Sequence, residues 1–396
     1  MQQKIRTFFI IILLYLFLII LFSSLAACSF KSSNSNNSTI QQSEAYNSEV
    51  SNDEGNEESK AQDTDRAKQI LNQMTIKDKI GQLFLVRCFP ERAVDDIKAL
   101  GIGGIVLFAS DFNKSADEVI TDINRYKNAA NFGLLVAVDE EGGSVVRVSR
   151  YTQFRSKPFL SPLDIYKNGG LAMIEQNTLE KAKLLLSLGI NINLAPVCDL
   201  TTKKSSFIYQ RSVGTDAVIG SDIVEIIVKT SENAGLGTTL KHFPGYGDNA
   251  DTHIGFSFDD RSLDSLLQRD LLPFKAGIAS GSNAVMVSHI TLTSIDKENP
   301  ASLSEAVHRI LREQLNFDGV IITDDLSMDA VNDYIDISEV GVKAVLAGND
   351  IICTSDYIAL YDSIYNAVQN GTITMQRLDE SVLRILNWKL KLKIIY

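Results

Sequence analysis

The stretch Gly319-Val320-Ile321-Ile322-Thr323-Asp324-Asp325 places two carboxylates directly after a run of β-branched residues. Such residues favour strands, and a strand without alternating polar positions is typically buried on both faces, as in a parallel sheet. The stretch therefore predicts a buried parallel strand whose carboxyl end carries Asp324 and Asp325.

Seven further short apolar runs repeat along the chain. They lie at Leu83–Val86, Gly104–Phe108, Leu134–Val138, Ile190–Val197, Thr238–Lys241, Ala284–His289 and Asn349–Cys353. Amphipathic stretches of helical length lie between them, for example at Ala116–Ala130, Ala172–Leu188, Asp216–Ala234 and Leu263–Ser280. Eight alternating strand–helix units predict an α/β fold, a single (β/α)8 TIM-type barrel over residues 66–396. The alternative is a doubly wound open sheet, but no G-x-G-x-x-G motif follows the first strand to supply its usual site.

The amino terminus has the pattern of an export signal. Lys4 and Arg6 precede the apolar run Phe8–Phe22, and small residues follow it. The ending Leu25-Ala26-Ala27-Cys28 resembles a bacterial lipobox, which implies cleavage before Cys28 and a diacylglycerol on its sulfur. We therefore expect a lipoprotein signal peptide at residues 1–27. An uncleaved membrane helix is the alternative, and both place the rest of the chain outside the cytoplasmic membrane.

Residues 28–65 are predicted to begin with the lipidated cysteine and continue as a flexible tether. The segment is rich in Ser, Asn, Gln and acidic residues, so it cannot bury enough apolar surface to offset its ordering entropy. The net charge of −11 argues against nucleic acid as a partner. Cys88, Cys198 and Cys353 lie in apolar runs, which predicts buried free thiols rather than disulfides.

Polar residues follow four of the predicted strands. They are Asp139-Glu140-Glu141, Lys241-His242 with Asp251-Thr252-His253 further along, Ser288-His289, and Asp324-Asp325. Because barrel strands end at one face, these groups are expected to form one site. Asp324 alone is compatible with a nucleophile, a metal ligand or a helix cap, and Asp325 is the better cap. With four histidines and no His-x-His pair, a metal site is the weaker hypothesis, so we expect no metal or cofactor.

Several motifs resemble glycoside hydrolase family 3 β-N-acetylglucosaminidases. The most specific is Lys241-His242-Phe243-Pro244-Gly245 through Asp251-Thr252-His253. Others are Val138-Asp139-Glu140-Glu141-Gly142-Gly143 with Arg147, Asn193-Leu194-Ala195-Pro196-Val197, Arg211-Ser212 and the stretch Phe317–Met328. The resemblance runs from about Leu71 to Arg384 and implies a barrel enzyme that hydrolyses terminal β-linked N-acetylglucosamine.

The resemblance also implies roles for individual residues. Asp324 matches the catalytic nucleophile, and His253 matches the acid/base, with Asp251 as its partner. Five positions match residues that hold the sugar ring: Asp139, Arg147, Arg211, Lys241 and His242. The sequence departs from the family where Tyr246, Glu140 and Ser144 replace the frequent His, Gln and Arg. No departure falls on a residue with an assigned role, but Tyr246 precedes the loop that carries His253.

Other polar residues have simpler interpretations. Glu140 and Glu141 are alternative candidates for the acid/base, and His289 is expected to support the site by hydrogen bonding. Gly142-Gly143 predicts a tight turn near the site. Arg147 and Arg211 could instead form surface ion pairs, and His242 could form only a hydrogen bond at the end of its strand. Asp248 and Asp259 are expected to serve loop turns. Three large aromatic residues are expected to pack in the core or against helices: Phe84, Phe108 and Trp388.

The sequence thus predicts a lipid-anchored exo-β-N-acetylglucosaminidase outside the cytoplasmic membrane, acting on cell-wall fragments such as muropeptides. The chain ends at Tyr396 without the second α/β domain usual in β-glucosidases of this family, which favours the acetamido-sugar branch. Three alternatives stay open: a glycoside phosphorylase of the same fold, a β-glucosidase or xylosidase, and a sugar-binding lipoprotein without catalytic activity.

Overall fold

A parallel sheet of eight strands forms the centre of the fold. The computed structural model describes residues 62–252, 255, 257–328 and 335–396. The strands of the sheet are β1 (Phe84–Arg87), β2 (Gly104–Leu107), β3 (Leu135–Val138), β4 (Ile192–Asn193), β5 (Gly237–Phe243), β7 (Ala284–Val287), β9 (Val320–Thr323) and β10 (Ile352–Thr354). Two short strands, β6 (Phe258–Asp259) and β8 (Thr291–Leu292), pair separately.

The sheet follows the order β10-β1-β2-β3-β4-β5-β7-β9, and all its strand pairs are parallel. A parallel bridge between Ile322 and Ile351 joins the two ends of this order. The predicted α/β barrel is therefore confirmed, with a strand at each of the eight predicted apolar runs.

Helices cover the outside of the sheet. They are α1 (Ile76–Gln82), α2 (Ala93–Leu100), α3 (Ala116–Ala129), α4 (Pro162–Ser187), α5 (Ala217–Asn233), α6 (Leu272–Ala279), α7 (Glu305–Arg309), α8 (Ile337–Ala347), α9 (Tyr357–Gln369) and α10 (Met375–Lys391). Residues 62–71 are also helical. Side-chain caps set several helix starts: at α3, Ser115 accepts a hydrogen bond from Glu118 N while Glu118 Oε2 accepts one from Ser115 N.

Three predicted elements differ from the observed ones. Strand β4 is shorter than the predicted run Ile190–Val197, because regular pairing ends at Asn193 and only an isolated bridge joins Val197 to Lys241. Helix α4 begins ten residues before the predicted start, and Gly169 and Gly170 interrupt it with non-helical dihedral angles. The predicted helix Leu263–Ser280 contains a π-helical segment at Leu266–Asp270 before α6.

The interior is packed with apolar strand residues. Every residue of β2, β3, β7 and β9 is buried, as expected for a parallel sheet. Phe84 and Trp388 are buried in the core, as predicted. The three cysteines among the described residues are free, but only Cys88 and Cys198 of these are buried. Cys353 is half-buried, because it lies at the carboxyl end of the barrel, so its predicted burial was wrong.

The predicted signal peptide, Cys28 and residues 29–61 of the predicted tether lie outside the described residues, as does His253. Among the helices that the structure describes, none is both long and apolar enough to span a bilayer.

Candidate active site

A cavity of about 410 Å³ opens at the carboxyl ends of the barrel strands. Six predicted site residues line it: Asp139, Arg147, Arg211, Lys241, His242 and Asp324. Asp325, Glu141, Arg87, Phe108, Cys353 and Thr354 also contribute to its walls. The structure thus brings together side chains from distant parts of the sequence, while Asp251 lies on the loop after β5 and does not line the cavity.

The cavity wall contains a connected set of ion pairs. Lys241 Nζ lies 2.6 Å from Asp139 Oδ1 and 2.8 Å from Glu141 Oε1. Arg211 donates two hydrogen bonds to the same Glu141 carboxylate, at 2.9 and 2.8 Å. Because charged hydrogen bonds of this kind are strong and directional, the network fixes four side chains in one arrangement.

Burial and charge act in opposite directions on this network. Glu141 and Lys241 are each only 3% exposed. Burial alone would raise the pKa of Glu141, but the positive charges of Lys241 and Arg211 hold this pKa well below its usual range. Burial would likewise lower the pKa of Lys241, but Asp139 and Glu141 raise it above the usual value. Glu141 and Lys241 are therefore both ionised at neutral pH.

His242 is oriented by Asp199, a fully buried carboxylate. Asp199 Oδ2 lies 2.8 Å from His242 Nδ1 and accepts a hydrogen bond from His242 N at 3.1 Å. On its other side, His242 Nε2 lies 3.1 Å from the Arg211 guanidinium. The imidazole is thus held between the Asp199 carboxylate and the Arg211 guanidinium, and His242 lines the cavity.

Arg147 extends the same cluster. Its guanidinium lies 3.9 Å from Asp139 Oδ2 and 5.9 Å from the centre of the Phe108 ring. Arg147 and Arg211 therefore both pair with acids of the cavity wall, so the alternative of isolated surface ion pairs is wrong. Phe108 is also not simply part of the core, because its half-buried ring faces the cavity.

Asp324 follows the last residue of β9, as predicted. Its backbone N–H donates to Val287 O at 2.8 Å, and its Oδ1 accepts from Asp325 N at 2.9 Å. Asp325 caps the next turn by accepting a hydrogen bond from Ser327 N at 2.9 Å. His289 supports the same backbone, with Nε2 3.0 Å from Asp325 O and Nδ1 2.7 Å from Ser302 Oγ. The backbone of the nucleophile candidate Asp324 is thus held by β7 through Val287, and the next residue, Asp325, is held by His289.

The two glutamates after β3 have different surroundings. Glu140 is fully buried and accepts hydrogen bonds from the backbone N–H groups of Arg147, Val148 and Ser149. It therefore closes the loop that carries Arg147. The turn predicted at Gly142-Gly143 is present, with φ values of 106° and 66°.

The loop after β5 is held by acids, as expected for Asp248 and Asp259. Asp248 accepts hydrogen bonds from Thr202 and Lys203 N–H, at 2.9 and 3.0 Å, and from Thr201 Oγ1 at 2.5 Å. Asp259 pairs with Arg261, which also donates to Gly245 O at 2.7 Å. Asp248 therefore joins two loops rather than forming only a local turn.

The arrangement suits recognition of a neutral, hydroxyl-rich molecule beside a rigid carboxylate. Ionised groups that already compensate one another can donate and accept hydrogen bonds without leaving an unpaired buried charge. Across the part of the chain that the structure describes, no three His, Cys, Asp or Glu side chains are grouped so that they could hold a metal ion.

Comparison with known protein families agrees with this geometry. Residues 75–388 match the family described as "Glycosyl hydrolase family 3 N terminal domain". The chain belongs to glycosyl hydrolase family 3. It is therefore a glycoside hydrolase, as the motifs predicted.

Relatives in family 3 include two β-hexosaminidases. The protein of Hydrogenovibrio crunogenus is 30% identical over 299 residues, which cover 73% of this chain and 81% of that protein. β-Hexosaminidase LpqI of Mycobacterium tuberculosis is 30% identical over 328 residues, which cover 79% of this chain and 82% of that protein.

Two solved structures are similar along most of the chain. A β-N-acetylglucosaminidase from a Paenibacillus species has a TM-score of 0.76 and 29% identity, covering 81% of this chain and 63% of that chain. The structure of LpqI has a TM-score of 0.73 and 27% identity, covering 79% of this chain and 93% of that chain.

Two residues of the family 3 site were missed in the sequence. Arg87 ends β1 and lines the cavity, with its guanidinium 4.5 Å from the Phe108 ring centre. Asp199 follows the fourth apolar run and orients His242. Both could have been found by the rule that was applied to Asp324, since Arg87 directly follows a predicted strand and Asp199 is the second residue after one.

Proposed function

We propose that the protein is a retaining exo-β-N-acetylglucosaminidase that releases terminal β-linked N-acetylglucosamine. The observation that carries this proposal is the ion-paired cluster of Asp139, Glu141, Lys241 and Arg211, which shares one cavity with Asp324. Hydroxyl groups of a terminal sugar would exchange hydrogen bonds with these charges. The names of the β-hexosaminidase relatives support an acetamido sugar as the substrate.

In this proposal Asp324 attacks the anomeric carbon. The glycosidic oxygen leaves with a proton from the acid/base, and a covalent glycosyl–Asp324 intermediate forms. Water then gives a proton to the base while its oxygen attacks the same carbon and displaces the Asp324 carboxylate, so the β-configuration is retained. Asp139, Arg147, Arg211, Lys241 and His242 hold the sugar during both steps.

The acid/base in this proposal is His253, with Asp251 orienting it. The surroundings of Glu141 favour this assignment, because a carboxyl group with a strongly lowered pKa is ionised and has no proton to donate. The Glu140 carboxylate already accepts hydrogen bonds from backbone N–H groups and from the Ser149 hydroxyl. A neutral histidine can accept a proton from water beside Asp324 without adding a second negative charge.

A panel of nitrophenyl glycosides tests the substrate and the reaction. We expect release of nitrophenol from the β-N-acetylglucosaminide and far slower release from the glucoside and xyloside. Added phosphate should not change the product, which NMR should show as the β-anomer of N-acetylglucosamine. A sugar phosphate product would indicate a phosphorylase, an α-anomer an inverting enzyme, and binding without turnover a sugar-binding protein.

Trapping tests the role of Asp324. A 5-fluoro glycosyl fluoride of N-acetylglucosamine should label Asp324, as detected by mass spectrometry of peptides, because fluorine slows hydrolysis of the intermediate. Asp324→Asn should accumulate no label. A label on any other residue would contradict this assignment.

For location, we propose that the enzyme is anchored by a lipid on Cys28 at the outer side of the cytoplasmic membrane, where it acts on peptidoglycan fragments. The lipobox-like residues 25–28 and the polar segment that follows them support this proposal.

A further inference from the structure

Tyr246 and Thr252 form a buried contact within the loop that follows β5. The Tyr246 hydroxyl lies 2.5 Å from Thr252 Oγ1, a hydrogen-bond distance between two groups that can each donate and accept. Tyr246 is 1% exposed and Thr252 is fully buried. A hydrogen bond in such surroundings is costly to break, because each hydroxyl would lose its partner without gaining water.

Tyr246 is itself fixed to the sugar-binding wall of the cavity. Its backbone N–H donates to Asp199 Oδ1 at 2.6 Å, and the other oxygen of that carboxylate orients His242. Its ring packs edge-on against Phe207 and His242, with centroids 5.0 and 5.3 Å apart. The phenol therefore has a rigid position relative to His242.

The hydroxyl group of Tyr246 is subject to the negative charges of two proposed catalytic residues, Asp324 and Asp251. Burial, followed by the negative charge of Asp324 and then those of Asp199 and Asp251, raises the pKa of Tyr246 well above its usual value. The hydroxyl thus stays protonated and neutral. Its partner Thr252 directly follows Asp251 and directly precedes His253 in the sequence.

We propose that Tyr246 is a positioning residue for proton transfer: its hydrogen bond to Thr252 holds the backbone of Asp251 and Thr252, the two residues that precede His253 in the sequence, relative to His242 and Asp324. Tyr246 does not exchange a proton with the substrate in this role. The inference rests on the proposed function, because it needs an acid/base on this loop. It adds a residue that controls how well the acid/base is aligned.

Removal of single hydroxyl groups tests the contact. Tyr246→Phe keeps the ring packing and Thr252→Val keeps the side-chain shape, but each loses the hydrogen bond. Both should lower kcat/KM for N,N′-diacetylchitobiose about 10-fold or more, because its leaving sugar needs a proton. Both should leave kcat/KM for the nitrophenyl glycoside within about twofold, because nitrophenolate leaves without one.

Two controls separate positioning from general damage. Thr252→Ser keeps the hydroxyl and should retain most of the activity on both substrates. Tyr361→Phe removes a hydroxyl that donates to Lys77 O at 3.2 Å, away from the cavity, and should change neither rate. An equal loss on both substrates in Tyr246→Phe, or no loss on either, would overturn the inference.

A double variant shows whether Tyr246 acts through the acid/base. His253→Ala alone should show the same dependence on the leaving group, and azide should restore its kcat on the nitrophenyl glycoside. Adding Tyr246→Phe to His253→Ala should cause little further loss on diacetylchitobiose, whereas a further loss of about 10-fold would contradict action through this group. If His253→Ala lacks the leaving-group dependence, the proposed acid/base assignment fails and this inference fails with it. If His253→Ala has it and Tyr246→Phe does not, only this inference fails.

Discussion

Glu141 illustrates how a single residue's surroundings decide its role. Its carboxylate lies between the buried Lys241 and the partly buried Arg211, so its function is to compensate their charge and hold them at the cavity wall. Loss of one partner of a buried ion pair typically costs about 3–5 kcal/mol, because it leaves a charge uncompensated. The same carboxylate would be a poor proton donor at neutral pH.

We therefore predict that Glu141→Gln and His253→Ala have different kinetic signatures. Glu141→Gln should lower kcat/KM by a similar factor, at least about 10-fold, on the nitrophenyl glycoside and on diacetylchitobiose, since it weakens sugar binding in both. It should also lower the unfolding temperature. His253→Ala should lower kcat/KM for hydrolysis of diacetylchitobiose about 10²–10⁴-fold, and it should lower kcat/KM for cleavage of the nitrophenyl glycoside much less. Leaving-group dependence in Glu141→Gln and none in His253→Ala would reverse the assignment.

The carboxyl group of Asp248 should make the stability of the fold depend on pH. Burial of the carboxyl group raises its pKa, but the hydrogen bonds from Thr201, Thr202 and Lys203 together outweigh this and lower the pKa to about 2, against an ordinary value of about 4. A lowered folded-state pKa means that the ionised group stabilises the fold above about pH 4 and that this contribution is lost as the pH falls towards about 2.

The prediction is that Asp248→Asn lowers the midpoint of urea unfolding at pH 6 and that the difference from the wild type shrinks between about pH 4 and pH 2. Asp362→Asn, an exposed position on α9, controls for the loss of one negative charge. A difference between wild type and Asp248→Asn that stays constant down to pH 2 would show that the carboxylate is not the stabilising form.

At the scale of elements, the loop between β3 and α4 holds the site through a backbone turn. Gly142 has φ 106°, and a Cβ on it would lie 2.1 Å from Leu160 O. Gly371, in the turn between α9 and α10, also has a positive φ of 81° but has no heavy atom within 4 Å of such a Cβ. Both glycines therefore have a positive φ that strains other residues, but only Gly371 has room for a side chain.

This pair makes a matched prediction. Gly371→Ala should destabilise the fold by about 1 kcal/mol, the cost of a left-handed residue, and leave kcat/KM unchanged. Gly142→Ala should cost about 2–3 kcal/mol or more in unfolding free energy and lower kcat/KM, because the turn that positions Glu141 and Arg147 must move. Equal effects of the two substitutions in urea unfolding and activity assays would contradict this account.

Much of the element pattern could be predicted because buried parallel strands are continuous apolar runs and their carboxyl ends share one face. The interruptions of these elements could not be predicted: β4 ends at Asn193, and α4 is broken at Gly169 and Gly170. Nor could the sequence specify the partners within the site. Whether Lys241 pairs with Asp139, with Glu141 or with both depends on loop conformations, which no local pattern encodes.

At the scale of the whole molecule, closure of the barrel brings together groups that are far apart in sequence. Lys241 and Asp139, in direct contact, are separated by 102 positions. The residues proposed for catalysis all lie in the sequence of the barrel domain, while the predicted signal and tether precede it. Chemistry and cellular location should therefore be separable, since no residue assigned to the site lies before position 66.

The last prediction tests that separation. In a bacterium that processes lipoproteins, the full chain should incorporate a labelled fatty acid and sediment with membranes, because a diacylglycerol on Cys28 adds buried CH₂ groups worth about 0.8 kcal/mol each. Cys28→Ala should incorporate no label and keep the mass of the unprocessed precursor, whereas Ser29→Ala, one residue further on, should be labelled and processed normally. All three chains should hydrolyse the nitrophenyl glycoside with the same kcat/KM after detergent extraction, because the substitutions leave the barrel intact. Equal labelling without Cys28 would contradict lipidation at this residue, whereas no labelling of the full chain would leave an uncleaved amino-terminal helix as the means of membrane attachment.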